Sequence, residues 1–266
     1  VSLDKRQNVD WFIFYDGLLK NINDSFSDTK QSNLNLNISH QFSTNKRNSF
    51  SQINFRQHRQ SFYGLPSVIE DNYILSNFDP IQRLTYFSIT SDWQWHDRIV
   101  KGLSLNSYYT ADSYSTRENE ISFKSKFQLD FGSIHLTAIP KINILSTTFK
   151  EDFYTRLENE LFSGIGGISL YSSKEKGRFK FRLGIQSYFI TGDNYAEKNL
   201  YYFPDVMITF KPENSNFAPF LNLNGEFYQN SFRALSHINP YVAPAIRLRS
   251  SLSPYKIELG TRSSLS

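Results

Sequence analysis

The sequence predicts an all-β fold, an antiparallel up-and-down transmembrane β-barrel, from three observations. Apolar and polar residues alternate with a period of two through stretch after stretch. The polar connections between those stretches alternate between short and long. Aromatic residues make up 16% of a chain whose whole apolar share is only 39%. A period of two puts each set of side chains on its own face of a sheet. An apolar share below the usual globular level would otherwise indicate a disordered chain, but disorder is poor in aromatics. A barrel in a membrane reconciles the two facts, because half of each strand faces water and aromatic girdles mark both interfaces.

The first strand is expected over residues 10–18, led by Trp11, Ile13 and Tyr15, with a polar loop over 20–32. In the second, Leu34, Leu36, Ile38 and Phe42 oppose Asn33, Asn35, Asn37, Ser39 and Gln41. A short turn over 44–48 leads to the third, where Ile53 and Phe55 oppose Gln52, Asn54, Arg56 and His58. A long loop, 60–81, precedes the fourth, in which Phe87, Ile89, Trp93 and Trp95 oppose Tyr86, Ser88, Thr90, Asp92 and Gln94. A tight turn near Asp97 opens the fifth, marked by Leu103, Leu105 and Tyr109. After a loop over 111–118, Ile121, Phe123, Phe127, Leu129 and Phe131 alternate with Glu120, Lys124, Lys126, Gln128 and Asp130 in the sixth.

Gly132-Ser133 reads as a two-residue hairpin turn into the seventh strand, with Ile134, Leu136, Ala138, Pro140, Ile142 and Ile144 on one face. A charged loop over 150–160 leads to the eighth, carrying Phe162, Ile168 and Leu170. Beyond a polar turn over 173–177, Phe179, Phe181, Leu183, Ile185 and Phe189 alternate with Arg178, Lys180, Arg182, Gln186 and Tyr188 in the ninth. Val206, Ile208 and Phe210 mark the tenth, and a turn over 212–216 follows. In the eleventh, Phe217, Pro219, Leu221, Leu223 and Phe227 alternate with Phe220, Asn222, Asn224, Glu226 and Tyr228. Residues 230–241 read as a loop, Ile246 and Leu248 as a twelfth strand, and Ile257 and Leu259 as a thirteenth after Ser253-Pro254.

About thirteen strands result by alternation alone, in one barrel domain over residues 1–266. Bacterial single-chain barrels have even strand numbers, so an odd count predicts part of a larger, even-numbered barrel. Connections near Asn45, Asp97, Gly132, Lys176, Asn214 and Ser253 are short; those near Ser25, Leu75, Ser113, Tyr154, Tyr195 and Leu235 are long. Short periplasmic turns and long extracellular loops are the outer-membrane pattern. It places the N-terminus in the periplasm.

Little in the sequence points to catalysis, a metal or a cofactor. Cysteine is absent, so disulfides and thiolate metal sites are excluded. The five histidines (His40, His58, His96, His135, His237) lack metal-ligand spacing. No nucleophile elbow, phosphate loop or dinucleotide fingerprint appears, and Gly164-Ile165-Gly166-Gly167 sits mid-strand, where a bend or close backbone approach explains it. No enzyme activity is expected. The net charge of +4 is spread along the chain rather than gathered into a patch, which argues against a nucleic-acid partner.

The alternation assigns two faces. Lys124, Lys126, Arg178, Lys180, Arg182, Glu226, Arg247 and Arg249 fall on the lumen parity; Phe123, Phe127, Phe179, Phe181, Leu183, Ile185, Leu221 and Leu223 fall on the lipid parity. Lys141, Lys256 and Arg262 share the lumen side with the acids Glu120, Asp130 and Glu258. Two readings follow: a mutually paired network that stiffens the wall, or a basic constriction favouring anionic solutes.

Four segments carry a resemblance: Tyr63-Gly64-Leu65-Pro66, Tyr202-Phe203-Pro204-Asp205-Val206, Gln229-Asn230-Ser231-Phe232-Arg233 and Asn239-Pro240-Tyr241-Val242-Ala243-Pro244. In these patches the chain resembles the TonB-dependent-receptor-like and porin-like outer-membrane barrels of gram-negative bacteria. There the last motif usually reads Asn-Pro-Phe-Val-Ser-Pro, from which Tyr241 and Ala243 depart conservatively. The resemblance implies a gram-negative outer membrane, a periplasmic region upstream and further strands downstream. It brings no catalytic role, and neither a plug nor a TonB box is recognisable in these residues. The functional expectation is a barrel of receptor or porin type that passes or binds solutes at the cell surface. The alternative is an accessory subunit of an outer-membrane assembly or secretion complex, with the bilayer and other outer-membrane proteins as partners.

Overall fold

The computed structural model describes residues 6–20, 29–61, 81–132, 134–150, 158–193, 199–213, 217–239 and 248–263. Twelve strands form one sheet in chain order, each antiparallel to its neighbours. They are β1 (Arg6–Lys20), β2 (Thr29–Ser43), β3 (Arg47–Ser61), β4 (Ile81–Trp95), β5 (Val100–Asp112) and β6 (Arg117–Phe131). There follow β7 (Ile134–Phe149), β8 (Asn159–Lys176), β9 (Phe179–Gly192), β10 (Leu200–Phe210), β11 (Phe217–Tyr228) and β12 (Ser251–Ser263). One helix, α1 (Phe232–Ile238), lies between the last two strands. The predicted up-and-down order is thus observed, although β1 and β12 do not pair and the sheet is not closed.

Four expectations are corrected. The predicted twelfth strand is not found at Leu248, since residues 248–250 are not strand, and Ile246 lies outside the described residues. The described strands number twelve, so an odd count no longer speaks for missing strands. The expected long loop over 111–118 is a tight turn, because the Asp112 carboxylate accepts the backbone N–H of Tyr114 (2.9 Å) and of Thr116 (2.8 Å). Such an Asx turn reverses the chain without further residues. The polar turn over 173–177 shrinks to Gly177 and Arg178, since Lys176 already pairs with Phe179. Gly177 has φ +59, a conformation that glycine adopts without steric cost. The turn at Gly132 (φ +62) lies where expected, whereas Ser133, Asn214 and the loops around Ser25, Tyr63–Pro66, Leu75, Tyr154 and Tyr195 fall outside the described residues.

The two faces differ as the alternation requires. We call the face that carries α1 the inner one. On the outer face a single cross-strand row runs Trp11, Ile38, Ile53, Ile89, Ser107, Ile121, Ile144 over β1 to β7. Its isoleucines stay between 42% and 56% exposed, so no second layer covers them. On the inner face two apolar clusters form, Leu84, Tyr86, Phe149, Phe232 and Leu248, and Ile165, Tyr188, Ile190, Phe203 and Phe227. That was not expected of a polar face. Its upper part is packed rather than open.

Phe227, which alternation assigns to the outer set, is buried because β11 parts from β10 there while it stays paired with β12. The β10–β11 ladder ends at Asp205 and Asn224, although β11 continues to Tyr228. From there β11 folds over the inner face, where the Phe227 ring meets those of Tyr188 (6.3 Å) and Tyr201 (5.8 Å). Gly225 makes the departure possible. A Cβ there would lie 2.4 Å from the Pro254 carbonyl oxygen and 2.6 Å from the Phe203 ring. The register of β11 and β12 shifts at the same point, and Pro254, which has no N–H to give, is tolerated at such an irregularity. Gly225→Val is therefore expected to cost about 1–3 kcal/mol through overpacking, read as a lowered unfolding midpoint.

Candidate functional site

The inner face is organised by α1, a helix too short to be stable on its own. Ser231 caps it, its hydroxyl oxygen accepting the N–H of Ala234 at 3.1 Å. The remaining N-terminal donors are satisfied from the wall. Glu118, buried near the start of β6, accepts the N–H of Phe232 at 2.6 Å and that of Arg233 at 2.8 Å. Thr147 on β7 donates its hydroxyl to the same carboxylate at 2.8 Å. Carboxylates are favoured at such helix starts, where unsatisfied N–H groups and the dipole coincide.

Side chains complete the docking. Arg233 pairs with Glu120 at 2.7 Å, its guanidinium 4.0 Å from the centre of the Tyr108 ring. Tyr86 donates to the Ser236 hydroxyl at 3.1 Å and stacks on His237 with ring centres 4.4 Å apart. Phe232, wholly buried, meets Phe149 edge to face at 6.2 Å. Just before the helix, Gln229 accepts the Asn143 amide at 2.8 Å and donates to the Ser163 carbonyl at 3.3 Å. The segment around Gln229–Arg233, singled out by the resemblance, is thus an inward strap. Sequence reasoning took it for a loop.

Beside the strap lies a cavity of about 400 Å3, lined by β5–β9 and the end of β11. Ser104, Asn106, Ser122 and Asn143 form a polar wall, and Tyr188, Phe227 and Tyr228 an aromatic one. Lys124 and Lys141 enter it together, directly opposite each other on β6 and β7. A second cavity of about 390 Å3, toward the short-turn end, is lined by Lys124, Lys126, Lys101 and Asp92.

The remaining predicted lumen residues separate. Arg182 lies on the inner face, pairing with buried Asp205 at 2.7 Å, and Lys180 pairs with Glu175 at 3.1 Å. Glu226 accepts the Tyr228 hydroxyl at 2.5 Å. Arg178 belongs to the β8–β9 turn and reaches Glu213 at 2.6 Å, so it marks the rim rather than the wall. Arg249 precedes β12 without strand structure, its carbonyl accepting the Asn230 amide at 2.5 Å, and Arg247 lies outside the described residues. Paired and unpaired charges therefore coexist, as neither of the two readings alone supposes.

The predicted apolar set lies on the outer face. Phe123, Phe179, Leu183, Ile185 and Leu221 are exposed, and Phe127, Phe181 and Leu223 are partly covered by neighbours. Phe179 stacks with Phe181 (5.9 Å) and packs on Phe210 (5.0 Å) at the short-turn rim. Phe131 and Phe217, 61% and 60% exposed, continue that rim; Phe162, Phe189 and Tyr202 ring the opposite end. Compared with family models, with curated proteins and with solved structures, the chain matches none.

Proposed function

We propose that this chain builds the wall of an outer-membrane β-barrel of TonB-dependent-receptor or porin type, which passes or binds solutes at the cell surface. One observation carries the reading: the isoleucine row from Ile38 to Ile144, exposed across the outer face. In water such a row would seek a covering layer; in hydrocarbon it is the expected surface. Aromatic residues at both ends of the strands match the girdles of membrane barrels. Strands of 11–18 residues meet or exceed the roughly 9–11 that a tilted span requires. On this reading the 177–178 end is periplasmic and the long-loop end extracellular. Recovery with the outer membrane, extraction only with detergent and discrete conductance steps in planar bilayers are the expected results. A freely water-soluble monomer would sink the proposal.

The edge strand β1 favours a second reading, an accessory subunit in an outer-membrane assembly or secretion complex. Trp11, Phe12, Ile13, Phe14 and Tyr15 are all at least 48% exposed, so both faces of the strand offer apolar surface. Copurification with other outer-membrane proteins after mild extraction, without conductance, is the result that selects it.

A further inference from the structure

The geometry points to a binding site for a sugar bearing one carboxylate or phosphate, in the cavity at Lys124 and Lys141. The inference rests on the reading of the inner face as a solute path and names the class of solute. Lys124 and Lys141 face each other across β6 and β7. Like charges directly opposite destabilise a sheet, and the sequence offers no local relief. Three other inner-face cations have acids of their own: Arg182 has Asp205, Arg233 has Glu120 and Lys256 has Glu258. Among the described residues neither Lys124 nor Lys141 has an ion-pair partner. Glu120, the nearest inner-face acid along β6, is engaged by Arg233 and by the Asn143 amide. Glu226, whose charge acts on Lys141 from a distance, is held by the Tyr228 hydroxyl.

Lys141 is also aimed. Its ammonium donates to the Tyr188 hydroxyl at 2.6 Å, which fixes a long side chain against the cavity wall. Two ammonium groups with no carboxylate between them form a seat for an anion, through charge-assisted hydrogen bonds. The rest of the cavity specifies what the anion is attached to. Asn143 gives its amide to Glu120 and Gln229, which leaves its buried carbonyl oxygen without a donor. A hydroxyl is the natural donor to it. Ser104, Asn106 and Ser122 add further polar groups on that side, while Tyr188 and Phe227 offer flat apolar surface opposite. Hydroxyls on one side, a C–H face on the other and an anion at one end describe a charged sugar. A cavity of about 400 Å3 lies within the range of small-ligand sites.

The test is calorimetric titration of the detergent-solubilised full chain at low ionic strength with glucuronate, glucose 6-phosphate, glucose and inorganic phosphate. Both charged sugars are expected to bind, with glucose and phosphate alone at least about tenfold weaker, since each loses one half of the recognition. Lys124→Gln, an exposed position that the fold does not need, is expected to weaken both charged sugars about tenfold. Lys141→Gln should do the same, and Lys211→Gln at the β10–β11 turn should change nothing. Equal binding of glucose overturns the anion seat, and equal binding of inorganic phosphate overturns the sugar. Lys124→Gln without effect, or no binding of either charged sugar, overturns the site. A chain that forms channels yet ignores both sugars refutes the site alone; one that binds them but needs no detergent refutes the membrane reading alone.

Discussion

Replacing Ile89 with lysine is expected to cost the folded protein about 2–4 kcal/mol in lipid, the penalty of a cation near the middle of the hydrocarbon. Ile89 lies in the centre of the outer row, paired with Ile53 and Ser107, and is 43% exposed. If water were its solvent, a charge at so exposed a site would change stability by no more than about 0.5 kcal/mol. The two media thus predict effects several-fold apart for one substitution. Urea unfolding of the protein in liposomes reads the difference directly. A second lysine at Arg178, on the rim, serves as control: there the expected change is small, because the Glu213 pair is solvent-exposed and such pairs contribute little.

The second large effect is expected at Glu118. Its carboxylate accepts from the backbone of Phe232 and Arg233 and from Thr147, all within 2.8 Å, while almost wholly buried. Glu118→Ala leaves three donors without an acceptor in a site that water does not reach. Hydrogen bonds to a charged group are each worth about 1.5–3 kcal/mol, and the losses are not additive. A total of about 3–5 kcal/mol, of the size seen when one member of a buried charged pair is removed, is the expected loss. It should fall on the docking of α1 rather than on the strands. Hydrogen exchange therefore ought to accelerate at Phe232–Ile238 while the amides of β6 and β7 remain protected. Uniform loss of protection across the sheet would show instead that Glu118 supports the wall itself.

The sheet was legible because its signal is local and repeated. Each of Leu34, Leu36 and Ile38 stands two residues from the next, and the pairing of Leu36 with Phe55 and Ile38 with Ile53 follows once the turn at residues 44–46 is placed. The facing of Lys124 and Lys141 was legible in the same way, since a two-residue turn after Phe131 fixes the pairs back along both strands. The helix was not legible. Ser231 is a capping residue, and Phe232 and Leu235 have helical spacing, but seven residues carry too little propensity to declare themselves. What holds α1 comes from Glu118, a residue 114 positions away from Phe232 in sequence. Phe227 misled for a related reason: alternation assumes an unbroken ladder on both sides of a strand, and beyond Asn224 β11 has lost β10 and shifts its register with β12. The strand assigned to Ile246 and Leu248 followed apolar alternation where Leu248 is in fact buried beneath the helix cluster.

The strap has a mechanical consequence. It leaves the sheet at β11, is fastened on β6 and β7, and returns at β12. A sheet held only by its ladders can flatten or curl with little resistance, because hydrogen bonds between neighbours constrain spacing far more than bend. A tie between strands that are not neighbours works like the string of a bow: widening the arc stretches it. The curvature of the β6–β11 portion is therefore held by the anchors of the strap on the wall, with Glu118, Glu120 and Asn143 foremost among them.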